Sequence, residues 1–134
     1  GATSTIDSAK EDALAAILRL TGGQGADLAF EAVGVPATVD LALRCLRKGG
    51  AATLVGNVTP SVEFPLQAAV TRELSVRGSC ASQGEYPACL DMLARGALRA
   101  APLISAAAPL AEGAAWFDRL YRKEPGLLKV VLKP

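Results

Sequence analysis

The stretch DLAFEAVGVPATVDLALRCLRKGGAATLVG, residues 27 to 56, holds two apolar runs separated by a segment with helical spacing. The first run, residues 27 to 33, reads as a strand. After Gly34, Pro36 sits where a first helical turn tolerates proline, and Val39, Leu43 and Leu46 share one face before Lys48-Gly49-Gly50 closes the helix. The second run, residues 52 to 55, is almost wholly apolar, as expected of a strand covered on both faces. Strand, crossover helix and strand together make the βαβ unit of a parallel sheet.

The same alternation extends outward. Thr3-Ser4-Thr5-Ile6 reads as a short strand, with Asp7 or Ser8 offering an N-cap to a helix that runs to about Thr21. In that helix Leu14, Ile17 and Leu18 form one stripe, and Gly22-Gly23 end it. Downstream, Val62-Glu63-Phe64 alternates before Pro65 and is expected to be an edge strand. A short helix over residues 66 to 72 and a strand over 74 to 78 follow. Helices are expected at about 85 to 95 and 111 to 121, the second with Trp116, Phe117, Leu120 and Tyr121 on an apolar face. Residues 106 to 108 read as a short strand or connector, and Val130-Val131-Leu132 as the last strand.

Composition sets the limits. The chain has 134 residues, 51% hydrophobic and 20% charged, which is enough apolar material for one domain with a core. The net charge of +1 is scattered, so no nucleic-acid partner and no anionic membrane is implied. Apolar stretches stop well short of the roughly 20 residues that span a bilayer. The opening Gly1-Ala2-Thr3 lacks a Met and any leader pattern, so the chain is expected to start mid-gene or after a tag. Cys45, Cys80 and Cys89 fit neither a disulfide framework nor a zinc knuckle, which suits a reducing cytoplasm. Cys45 and Cys89 are expected to be small core residues within helices. With no histidine, the commonest general base and metal ligand is missing, and no catalytic or metal-binding residue is assigned.

In open α/β sheets ligands bind outside the carboxyl ends of the strands. The residues there are Val33-Gly34, Gly56-Asn57 and Ser79-Cys80-Ala81, all small or containing glycine, so that backbone groups can approach a flat ligand.

Five motifs then recur in order: Glu31-Ala32-Val33-Gly34; Leu46-Arg47-Lys48-Gly49-Gly50 leading into Thr53-Leu54-Val55-Gly56; Val76-Arg77-Gly78-Ser79; Pro102-Leu103-Ile104 with Pro109-Leu110 and Ala115-Trp116-Phe117; and Leu128-Lys129-Val130-Val131-Leu132. Across essentially the whole chain they resemble the medium-chain zinc-type alcohol and polyol dehydrogenases, closest to the sorbitol and threonine dehydrogenase branch. The resemblance implies an α/β fold that is part of a Rossmann-type doubly wound parallel sheet. Residues 1 to 134 would be the distal part of a nicotinamide-dinucleotide-binding domain, with the third to sixth strands and the edge strand present and the first two upstream of Gly1. It also implies roles. Val33 and Gly34 line the cofactor's ribose side, Val55, Gly56 and Asn57 touch nicotinamide, the backbone of Ser79, Cys80 and Ala81 bonds the carboxamide, and Lys129 meets the pyrophosphate. The cofactor is NAD or NADP, and the substrate of the parent enzyme a small alcohol or polyol. Zinc in the parent is expected to lie outside this chain.

Other features depart from the family pattern. The G-x-G-x-x-G turn is missing, and Gly22-Gly23-Gln24-Gly25 is no substitute because it follows a helix and precedes a strand. The isolated chain is therefore expected to be inactive and poorly stable. Homo-association is expected through Val62, Glu63 and Phe64, since an edge strand is a template for its two-fold mate. The alternatives are the zinc-free quinone reductase branch and a non-catalytic α/β module for association or nucleotide binding.

Overall fold

The computed structural model describes residues 1 to 134 and divides into two compact units, Gly1–Ala81 and Ser82–Pro134. In the first, helix α1 (Ala13–Leu20) starts where Asp12 Oδ1 accepts the Ala15 amide at 3.1 Å. The expected cap at Asp7 serves only a preceding turn, where its carboxylate takes the Ala9 amide at 3.0 Å. Strand β1 (Ala26–Glu31) leads into helix α2 (Pro36–Arg44), then strand β2 (Leu46–Leu54), the short helix α3 (Leu66–Thr71) and strand β3 (Ser75–Gly78). All pairings are parallel, in the order β1-β2-β3. Residues 27 to 56 form the βαβ unit that their spacing implies, within the partial Rossmann-type sheet that the resemblance implies.

Three local expectations differ from what forms. Residues 3 to 6 make no strand, because extended residues become one only by pairing and β1 pairs with β2 alone. Val62-Glu63-Phe64 is not a strand either; Val62 packs against the core, and the chain enters α3 through Pro65. These residues therefore offer no edge strand for a two-fold mate, and the free edges of this sheet belong to β1 and β3. Finally, α2 stops at Arg44 and Leu46 already opens β2, so Lys48-Gly49-Gly50 is a bulge rather than a helix end. The register runs from Ala26↔Leu46 directly to Leu28↔Ala51.

The core of this unit is Val39 and Leu43 of α2 against Leu46 and Ala52 of β2, with Ala29, Val62 and Leu74 packed around them. Arg72 ties the layers together by donating to the carbonyl oxygens of Arg44, at 2.9 Å, and of Leu46.

In the second unit, helix α4 (Tyr86–Ala94) precedes strand β4 (Ala106–Pro109), helix α5 (Gly113–Tyr121) and strand β5 (Val130–Lys133). The two strands pair in parallel. Only Ala108 and Gly113 are buried here, Gly113 because a β-carbon would sit 3.1 Å from Leu132 Cδ1. The expected apolar face of α5 is largely open, with Phe117 71% and Tyr121 89% exposed. Arg119 spans this helix instead, lying 4.0 Å from the Trp116 ring and binding Glu124 at 2.6 and 2.7 Å. Cys89 is exposed on α4, so it is not a core residue, whereas Cys45 caps α2, is buried, and has its thiol pushed up by that burial.

Candidate functional site

The carboxyl ends of β2 and β3 form a shallow cleft of about 430 Å³, lined by Leu54, Val55, Gly56, Asn57, Gly78, Ser79, Cys80 and Ala81. Parallel pairing puts both strand ends on one edge, with Leu54 opposite Gly78, and the Ser79 amide donates to the Leu54 carbonyl at 2.9 Å. Six of the nine residues proposed from sequence therefore share one cleft. Gly34 lies directly behind it: a β-carbon on Gly56 would collide with backbone atoms of Val33 and Gly34, and one on Gly34, whose φ is +84°, would collide with Gly56 and Asn57. The Thr59 amide closes this contact on the Gly34 carbonyl at 2.9 Å. Lys129, the ninth, is an exposed residue of the second unit just before β5, its carbonyl taking the Ser105 amide at 2.7 Å.

One residue that shapes this edge was not singled out from the sequence. Glu31, the last residue of β1, is 3% exposed. Its Oε1 accepts the amides of Val33 at 2.9 Å and Gly34 at 2.8 Å and the Thr38 hydroxyl at 2.7 Å. Its carbonyl accepts the amides of Val55 at 2.7 Å and Gly56 at 3.0 Å. The Gly34 amide, then the Thr38 hydroxyl, hold its carboxyl below the usual glutamate range against the opposing effect of burial, with the Val33 and Gly56 amides adding to the lowering. The available signal was a carboxylate directly after the apolar Leu28-Ala29-Phe30, where a charge must find partners.

The cleft suits a flat ligand that is read by backbone groups. Its lining includes Gly56, Gly78, Ser79, Cys80 and Ala81 beside Leu54, Val55 and Asn57, and a β-carbon on Gly78 would meet nothing within 4 Å, so that strand end has open space. A nicotinamide cofactor fits that description. Zinc does not fit these residues: no three His, Cys, Asp or Glu side chains converge to hold a metal. No helix is long and apolar enough to cross a membrane.

Residues 1–95 match the family model described as zinc-binding dehydrogenase. The chain is 29% identical over 136 residues to the sorbitol dehydrogenase of Bacillus subtilis (strain 168), covering 100% of this chain and 38% of that protein. It is 33% identical over 109 residues to D-xylulose reductase A of Aspergillus niger, covering 78% of this chain and 30% of that protein. Among solved structures, alcohol dehydrogenase TADH from Thermus sp. ATN1 superposes with a TM-score of 0.85 at 34% identity, covering 96% of this chain and 38% of that one. The chain thus spans well under half the length of the proteins it resembles.

Proposed function

Because the chain belongs to the zinc-binding dehydrogenase family, we propose that residues 1 to 134 are the distal part of a nicotinamide-dinucleotide-binding domain. The parent enzyme would transfer a hydride between an alcohol or polyol and NAD or NADP. The observation that carries this reading is the meeting of Val55, Gly56, Asn57, Ser79, Cys80 and Ala81 in one cleft, with Val33 and Gly34 backed against it. The names of the two relatives, a sorbitol dehydrogenase and a D-xylulose reductase, support an alcohol or polyol as the substrate class.

When bound, the cofactor supplies the hydride acceptor for alcohol oxidation and the donor for the reverse reaction. This chain binds and orients. Val33 and Gly34 face the ribose side, Val55, Gly56 and Asn57 the nicotinamide, and the backbone of Ser79 to Ala81 the carboxamide, fixing which ring face reacts. Backbone recognition suits this work because strand-end amides and carbonyls are held by the sheet and need no reorganisation when the ligand arrives.

Fluorescence titration of the natural protein, meaning the full-length parent enzyme, with NADH and with NADPH tests the proposal. Micromolar binding of either one, weakened in Gly78→Val, supports it. Absence of binding, or binding that Gly78→Val leaves untouched, contradicts it.

A further inference from the structure

We propose that Glu31 is a positioning residue for cofactor binding: its buried carboxylate and its backbone carbonyl together fix the Val33-Gly34 turn against the end of β2. The inference rests on the function proposed above and names what holds that site in shape.

Two segments that the cofactor would meet come from different strand ends, and nothing in their own side chains keeps them together. Gly34 and Gly56 touch through backbone atoms, so their separation is set by whatever fixes the two backbones. Glu31 holds both. Its carboxylate takes the Val33 and Gly34 amides on one side, and its carbonyl takes the Val55 and Gly56 amides on the other. Thr38 completes the arrangement from the first turn of α2, so the start of that helix is tied to the same oxygen.

A purely structural turn would not need this group. One oxygen, Oε1, makes all three side-chain bonds, while Oε2 is buried without a partner. Leaving a buried carboxylate oxygen unsatisfied is costly, and such a cost persists where the surrounding geometry, rather than stability, is what matters. A shorter Ser, Thr or Asp can bond the amides of a turn from its own backbone position. The longer glutamate spans from the end of β1 to two successive amides and to α2 at once.

The test measures NADH and NADPH dissociation constants by nucleotide fluorescence, with thermal melts, for the natural protein and for Glu31→Leu, Glu31→Gln and Thr38→Val. Glu31→Leu is expected to weaken binding about tenfold, the scale of lost hydrogen bonds to a charged group. Glu31→Gln, whose amide oxygen can still accept from Val33, Gly34 and Thr38, should recover most of that loss. Thr38→Val should weaken binding by roughly two- to threefold, the lower end for one hydrogen bond, at an unchanged melting temperature. Equal dissociation constants in all four proteins overturn the inference, as does a loss in Glu31→Leu that only tracks its unfolded fraction and that glutamine does not restore. If Glu31→Leu does not fold, Thr38→Val decides: weaker binding with a native melt supports the inference and unchanged binding overturns it. A natural protein that binds neither nucleotide overturns the functional reading as well, whereas binding that is indifferent to Glu31 and Thr38 overturns this inference alone.

Discussion

The wall of the cleft built from the ends of β1 and β2 is held very differently from the wall at the end of β3. At the first, backbone lies on backbone at Gly34 and Gly56, and Glu31 collects three donors on one side-chain oxygen and two on its carbonyl. At the second, Gly78, Ser79, Cys80 and Ala81 are all exposed and Gly78 has open space around its α-carbon. One wall has no room for a side chain, while the other has room that is left unfilled. A side chain added at a glycine of the first wall should therefore be felt in folding, and one added at Gly78 of the second in ligand binding.

The largest expected effect is at Gly56. A valine there must push apart the Val33-Gly34 and Gly56-Asn57 backbones, and overpacking of this kind costs on the order of 3 kcal/mol. A thermal melt should show the loss, with cofactor binding falling alongside it. A variant that melts like the natural protein would mean that the two loops are not locked together.

At Gly78 the outcome should reverse. Valine is free to enter open space at a strand end, so stability should change by no more than about 0.5 kcal/mol. Affinity for NADH or NADPH should fall by about tenfold or more, equivalent to roughly 1.4 kcal/mol. Melts and titrations run side by side separate the two walls, and equal behaviour of the two variants would erase the distinction.

The comparison sharpens with pH. Glu31 has its carboxyl lowered in the folded chain, so its contribution is complete at neutral pH and is lost as the pH falls through the folded value, below the ordinary glutamate range. Asp7, Glu85 and Glu124 are lowered as well, by Lys10, Ser82 and Arg119 respectively, and act in the same acid window. The reading is therefore the difference in melting temperature between the natural protein and Glu31→Gln across that window. It should shrink as the pH falls, and a constant difference would show that the ionised form of Glu31 does not matter.

The smallest effect is expected for Ser79→Ala. The amide of Ser79 is bonded to Leu54, and the proposed contacts run through backbone atoms, so the dissociation constant should stay within about twofold. A larger change, read by the same titration, would bring the hydroxyl into the site.

Much of this was legible in the sequence because the decisive features are local. Pro36 opening a helix, the Val39-Leu43 stripe and the apolar run at residues 52 to 55 each follow from spacing alone, and together they place Gly34 and Gly56 on the same edge. What failed depended on partners. Thr3 to Ile6 has the composition of a strand, but no neighbouring strand pairs with it, and Val62 turns into the core where alternation suggested an edge. Glu31 could be read as part of a motif, but not as a clamp, because its partners are backbone amides that no side-chain pattern reports. The open face of α5 was also hidden, since periodicity marks which residues share a face and not what covers them.

A crystal structure of the natural protein with NADH or NADPH bound tests the central claim most directly. The account predicts the nicotinamide ring in the cleft beside Val55 and Gly56, with its carboxamide within hydrogen-bond distance of the backbone of Ser79, Cys80 or Ala81. A cofactor bound elsewhere, with that cleft left to solvent, would contradict it.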